Sequence, residues 1–346
     1  MHIVITGGAG FIGARLARTL LAQGRLSLAG AAAQPITALT LLDLVGPPTD
    51  IASDARVNAV VGVLQQQLSS TTGEPAAHGP GLPPDTAVVF HLAAAVSGEC
   101  EADFDLGLAS NLQATQQLLE ACRALGTKPL VVFASSLAVF GGSPTLPLPA
   151  VIQDHTLPTP QSSYGIQKFI GEQLVADYSR KGFIDGRSVR LMTVSVRPGR
   201  PNGAASSFLS GMIREPLAGL PGRCPVEPQT AVALSSPARA IEGLLRAAEA
   251  GASEWGAPIA VNLPSLAVTV GEMAAALERA GGAEAAALLD WTRDPLIERL
   301  VTGWPARVDF ARARALGLAA DADFDAVVRS YIDENPDAVK LHRVNG

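Results

Sequence analysis

The sequence predicts an α/β fold: a doubly wound parallel sheet followed by a smaller C-terminal region. Three observations carry that expectation. Short apolar runs recur with helical stretches between them, the runs lack the polar alternation of a sheet with one wet face, and a glycine-rich turn joins the first run to the first helix. The 346 residues suffice for one large or two modest domains, and 48% hydrophobic with 17% charged residues is an ordinary globular composition.

In chain order, residues 2–6 form an apolar strand, and residues 11–23 a helix with Ile12, Leu16, Leu20 and Leu21 on one stripe. Residues 30–35 punctuate, and 36–42 form a second strand ending at Asp43. A third strand covers 57–64, and the Ser/Thr/Gly/Pro-rich stretch 69–85 is expected to be an inserted surface loop. Strands at 87–92 and 130–135 flank a helix at 106–125. A long helix at 163–181 and a strand at 189–196 close the series. Beyond Pro198 the pattern loosens into Pro/Gly-rich segments and Ala-rich helices. The expected division is therefore a first domain of residues 1–200 with a returning segment at 229–254, and a second region of 201–228 and 255–346.

Thr6-Gly7-Gly8-Ala9-Gly10-Phe11-Ile12-Gly13 follows a strand and opens a helix, the context in which such a motif binds a dinucleotide. Gly7 permits the tight turn, Gly10 lets a pyrophosphate approach the backbone, and Gly13 lets helix and strand pack closely. Free N–H groups at the helix start then hold the phosphates. Asp43 at the end of the second strand is placed to take both hydroxyls of an adenosine ribose, which favours NAD over NADP; a turn or helix-cap aspartate is the alternative. It lies 30 residues past Gly13 rather than the usual ~20, and an insertion around 24–35 accounts for the excess.

Tyr164 and Lys168 are one helical turn apart and share a face. A free phenol titrates near pH ~10, and a neighbouring ammonium favours the phenolate. A tyrosine tuned in this way serves as a general acid or base for an alcohol or carbonyl.

The set Thr6–Gly13, Asp43, His91-Leu92-Ala93-Ala94, Asn111, Ser135-Ser136 and Tyr164/Lys168 resembles the extended short-chain dehydrogenase/reductase family, in order and spacing. The resemblance implies a Rossmann domain, NAD as cofactor, and a catalytic set of Ser136, Tyr164 and Lys168, with Lys168 lowering the phenol's pKa. It places the cofactor against Gly7, Gly10, Phe11, Ile12, Gly13, Asp43, Leu64, Leu92, Ala93, Ala94, Asn111, Tyr164, Lys168 and Pro198. Ser135 is the next candidate for the serine role, unless its hydroxyl is satisfied locally. His91 is expected to be packed rather than catalytic. Two departures stand out: Val63 replaces an aspartate that would bond adenine, and Phe140 replaces a common tyrosine.

Ser195–Asn202, 207–219 and Trp304-Pro305-Ala306-Arg307-Val308-Asp309 are similar to a narrower subgroup that oxidises the C2 hydroxyl of a four-carbon sugar acid with NAD. Arg197, expected at the carboxyl end of the last long strand, suits a planar carboxylate; an ion pair between the two regions is the alternative. Ser97, Asn202 and Arg214 are further substrate candidates beside Ser136 and Tyr164, although Ser97 can equally cap a loop and Arg214 can be a surface charge. A nucleoside-diphosphate-sugar epimerase or dehydratase with tightly held NAD is the rival activity. A dehydratase wants an acid beside the reactive serine, where Leu137 stands.

A net charge of −6 argues against a nucleic-acid partner, and no apolar run is long enough to span a membrane. The three widely spaced cysteines form neither a disulfide framework nor a metal site, and no signal peptide is apparent, so a cytoplasmic protein is expected. Family members often pair through the two long helices, which implies a homodimer.

Overall fold

The computed structural model describes residues 1–68 and 82–342. Most of the loop expected at 69–85 lies outside the described residues. Seven strands form the main sheet: β1 (His2–Thr6), β2 (Ala38–Asp43), β3 (Val57–Val61), β4 (Thr86–His91), β5 (Leu130–Ser136), β6 (Asp185–Leu191) and β7 (Val261–Asn262). Their order is β7-β6-β5-β4-β1-β2-β3, and every pairing is parallel. The order reverses between β1 and β4, so the ligand crevice of an open α/β sheet falls at their carboxyl ends.

Both faces of this sheet are covered, which is why its strands are apolar throughout. Ile3 and Ile5 of β1, Val88 and Phe90 of β4, and Val132 of β5 point into one core, against Leu16 and Leu20 of helix α1 (Phe11–Gln23). The alternate residues Val4, Val89, Val131 and Phe133 point into the other, against Leu118 and Leu119 of α2 (Ala114–Leu125) and Val175 of α3 (Ser163–Arg180). Helix α1 ends on Gly24 in the left-handed region, φ 62°. A small hairpin, Arg25–Leu26 with Gln34–Pro35, then fills the insertion that delays Asp43.

Four sequence expectations change. The third strand stops at Val61 rather than 64, because Gly62 turns the chain at φ 152° and a short helix, Leu64–Leu68, follows. The helix expected at 106–125 starts at Phe104 and passes through a π-turn at Leu108–Gln113. The strand expected at 189–196 breaks at Met192: β6 ends at Leu191, and Thr193–Val194 pairs instead with Leu234–Ser235, in a separate three-stranded sheet completed by Leu266–Thr269. Finally, the main sheet and its core take residues from beyond the boundary expected at 255. Val261 and Asn262 pair with Val189 and Arg190 at the edge of the main sheet, and Ala313, Leu316 and Leu318 join the first core.

The second region has its own core, in which α4 (Phe208–Leu217) packs against Met273 and Leu277 and against Phe324, Val327 and Val328. Among the described residues, no helix is long and apolar enough to cross a membrane.

Candidate active site

The glycine-rich turn is built around contacts no side chain would allow. Gly7 sits at φ 70°, and a Cβ there would lie 2.8 Å from the Ala93 backbone nitrogen. A Cβ on Gly13 would lie 2.0 Å from the Gly7 carbonyl oxygen. Helix α1 therefore starts directly beside β1, and no side chain caps its N-terminus. The Asp43 carboxylate leans over this turn, accepting from Ala9 N at 2.9 Å and Gly10 N at 3.2 Å with one oxygen and from Leu44 N at 2.7 Å with the other. Asp43 thus takes the turn-capping role named as the alternative, while the helix N-terminus and the close backbone approach at Gly7 and Gly13 still form a cradle that fits a dinucleotide.

Beneath the cradle, the Thr6 hydroxyl accepts from Leu92 N and Ala93 N and contacts His91 Nδ1 at 2.6 Å. The other ring nitrogen of His91 meets Thr115 Oγ1 at 2.9 Å. Burial pushes the imidazole down to about 3, so it is neutral and packed away from the crevice.

Helix α3 begins with two caps: Ser162 Oγ accepts from Gly165 N, and Glu101 accepts from Ser163 N at 2.6 Å. Glycines press it onto β5 and the short turn that follows, since a Cβ on Gly165 would lie 2.1 Å from the Ala138 carbonyl oxygen and one on Gly171 would lie 2.6 Å from the Phe133 ring. Lys168 is thereby buried; its ammonium donates to Ala134 O at 2.9 Å and lies 5.7 Å from the Tyr164 ring centre. Burial lowers the Lys168 amine to about 8. The phenol behaves differently from the expectation. Burial pushes Tyr164 up to about 12, and the groups that pull it down are the facing Ser136 hydroxyl and the Arg197 charge rather than Lys168, which is engaged with the strand. Ser136 Oγ itself accepts from Ala138 N at 3.1 Å.

A cleft of about 330 Å³ joins these parts, from Gly7, Gly10, Phe11, Ile12 and Gly13 past Leu92 and Ala94 to Ser136, Tyr164 and Lys168. Arg197, Ser97 and Asn202 close its far side. The Arg197 guanidinium makes no hydrogen bond or ion pair with a described residue, although its backbone is held on both sides, by Ser210 Oγ and by Arg214. Ser97 Oγ accepts from Ala205 N, and Asn202 Oδ1 accepts from Ala204 N. Arg214 stays behind the cleft, where its fork donates to the Arg197 carbonyl and to Glu215. Asp43, Leu64, Ala93 and Pro198 do not line the cleft. Asn111 lies buried behind it, pinning Ala95 through both backbone groups and donating to Gln167.

A family model described as the NAD dependent epimerase/dehydratase family matches residues 82–229. A D-erythronate dehydrogenase of Cupriavidus necator is 50% identical over 96% of this chain and 98% of its own length. One of Haemophilus influenzae is 40% identical over 96% and 99%. The chain belongs to the NAD-dependent epimerase/dehydratase family. A crystal structure titled as the nucleoside-diphosphate-sugar epimerase from Agrobacterium tumefaciens superposes with a TM-score of 0.83, at 37% identity, covering 98% of this chain and 95% of that one.

Within this epimerase/dehydratase fold, the cleft also takes residues that the sequence analysis did not single out, among them Met192, Thr193, Ala204, Ser206 and Trp304. Trp304 stood in a motif that marked only the resemblance. It packs against both the second region's core and the apolar cluster of Leu137, Phe140 and Met192, and Gly142 N donates to the adjoining Gly303 carbonyl at 3.0 Å. An unpaired tryptophan beside a Pro in a C-terminal segment was the available signal.

Proposed function

We propose that the protein oxidises the C2 hydroxyl of a small sugar acid, D-erythronate to the 2-oxo acid, with NAD. The observation that carries this reading is the Arg197 guanidinium. It faces the Tyr164 phenol across the cleft and has no carboxylate partner of its own among the described residues. The names borne by the two relatives support the same substrate.

NAD, when bound along Gly7–Gly13 and Asp43, supplies the acceptor for the hydride that leaves C2. The chain's residues do the rest. Arg197 pairs with the substrate carboxylate through two parallel hydrogen bonds, and Ser136 holds the C2 hydroxyl. Tyr164 takes the hydroxyl proton as the C2–H bond breaks. A phenol near 12 is a weakly populated base at neutral pH, so the rate rises with pH, helped by the Arg197 charge that pulls the phenol down. Lys168 keeps the helix on the strand and lies one turn from the phenol.

The protein is also proposed to be a cytoplasmic homodimer. Three free, buried cysteines suit a reducing compartment, and exposed Phe104, Leu106, Ile166 and Ile170 lie on or next to the two long helices that pair in the family.

The test is absorbance of NADH with NAD and a panel of C4–C6 sugar acids. Reduction of added NAD by D-erythronate ahead of longer acids supports the reading. Cofactor that copurifies, never exchanges and is reduced by no sugar acid overturns it in favour of the epimerase or dehydratase activity.

A further inference from the structure

Tyr164, Lys168 and Glu172 recur at four-residue steps along α3 and so share one face of it. Each meets β5 at a different residue. Tyr164 faces Ser136, Lys168 donates to the Ala134 carbonyl at 2.9 Å, and Ser135 Oγ donates to Glu172 Oε1 at 2.5 Å. Glu172 in turn receives a two-pronged pairing from Arg190 of β6, Nε to Oε1 at 2.9 Å and Nη2 to Oε2 at 2.8 Å. Ser135 and Arg190 are register partners on adjacent strands, so the three side chains close a tight triangle. The remaining prong of Arg190 reaches the Asp154 carbonyl and Asn262 Oδ1, and its plane lies 4.7 Å from the Phe140 ring centre.

We propose that Glu172 and Arg190 form a charge-neutral clamp that positions Ser136 against Tyr164 and shields both Tyr164 and Lys168 from an unbalanced buried charge. Glu172, Arg190 and Ser135 are positioning residues: Ser135 is held by its hydroxyl, and that fixes the strand rotation at Ser136. This rests on the reading of Tyr164 as the proton acceptor.

Stability alone is a weak reason to keep such a pair. Glu172 and Arg190 are 3% exposed, and desolvating two charges costs about as much as their attraction returns, so apolar replacements are often as stable. Their placement beside the reacting groups supplies a better one. The charged or titratable groups acting on Tyr164 are Arg197 and Cys100, and the one acting on Lys168 is Cys100, with His91 on its other side. Asp154 and Arg312 face Arg190 from the outer side. Glu172, one turn from Lys168 along α3, is paired with Arg190 at 2.8 Å, so the clamp as a whole carries no net charge.

The experiment is the pH–rate profile, with NAD affinity followed separately by fluorescence titration. Glu172→Gln leaves the Arg190 cation unbalanced and is expected to move the alkaline-rising limb about one pH unit lower; Arg190→Gln leaves the carboxylate and moves it about one unit higher. The double variant Glu172→Gln/Arg190→Gln returns the limb to its original position. Ser135→Ala is expected to lower kcat about tenfold without moving the limb or the NAD affinity, and Ser135→Thr to restore kcat. Shifts of the same sign, no shift, or full kcat in Ser135→Ala overturn the clamp. Should a single charge variant fail to fold, the serine variants and the double variant still decide. An active Tyr164→Phe enzyme instead sinks the underlying reading, whereas an inactive Tyr164→Phe with unshifted clamp variants sinks the clamp alone.

Discussion

Ser136, Tyr164 and Lys168 stand on a strand and a helix pressed together through glycines, whereas Arg197, Asn202 and Trp304 arrive on segments between elements. The first group is held by buried bonds that repeat residue by residue along α3 and β5. The second is held chiefly through backbone, as when Ser210 and Arg214 anchor Arg197 at its N–H and carbonyl and leave the guanidinium unpaired. On the proposed mechanism, the difference separates proton and hydride chemistry, which needs placement to fractions of an ångström, from recognition, which needs a free polar group.

If that division holds, substitutions in the two groups must fail differently. Tyr164→Phe should lower kcat by about 10²–10⁴ while the NAD dissociation constant stays the same, as measured by turnover and fluorescence titration. Next comes Gly13→Ala. Its Cβ would stand 2.0 Å from the Gly7 carbonyl, so the turn must open; NAD affinity should fall at least 100-fold, with a lowered melting temperature. Arg197→Met should act chiefly on KM for the sugar acid, raising it about 10–100-fold, the worth of a charge-assisted pair, with a smaller effect on kcat. An equal fall in kcat with KM unchanged would move Arg197 into the chemical group and break the comparison.

Smaller still, Trp304→Ala should raise KM for D-erythronate severalfold and improve the relative kcat/KM of five- and six-carbon acids, because the indole walls the cleft. The smallest effect is on stability. His91 is held near 3 in the folded chain against about 6.5 unfolded, so between those values the unfolded chain binds the extra proton. Stability should therefore fall as pH drops from 6.5 toward 3, by up to about 1.4 kcal/mol per pH unit, and His91→Asn should flatten that slope in urea titrations.

What local sequence could say, it said because the signals are local. A four-residue spacing stacks Tyr164 on Lys168 in any helix, and glycines at 7, 10 and 13 between an apolar strand and an apolar helix leave few conformations for the turn. Asp43 follows from its strand, whatever the length of the hairpin before it. The tertiary structure decided matters that depend on distant partners. Thr193 and Val194 are β-branched and would continue β6 as well as any residues, yet they pair with Leu234 and Ser235, and Arg197 follows three residues on at the cleft. Arg214 carries the same charge as Arg197 but is consumed by a backbone carbonyl and Glu215. Val261 and Asn262 are too short a run to announce a strand, and only the exposed edge of β6 makes them one. Ser135 was separated from Ser136 not by chemistry but by a buried carboxylate 37 positions along the chain. Residue spacing thus determined which groups could react; long-range pairing determined which of them face the same space.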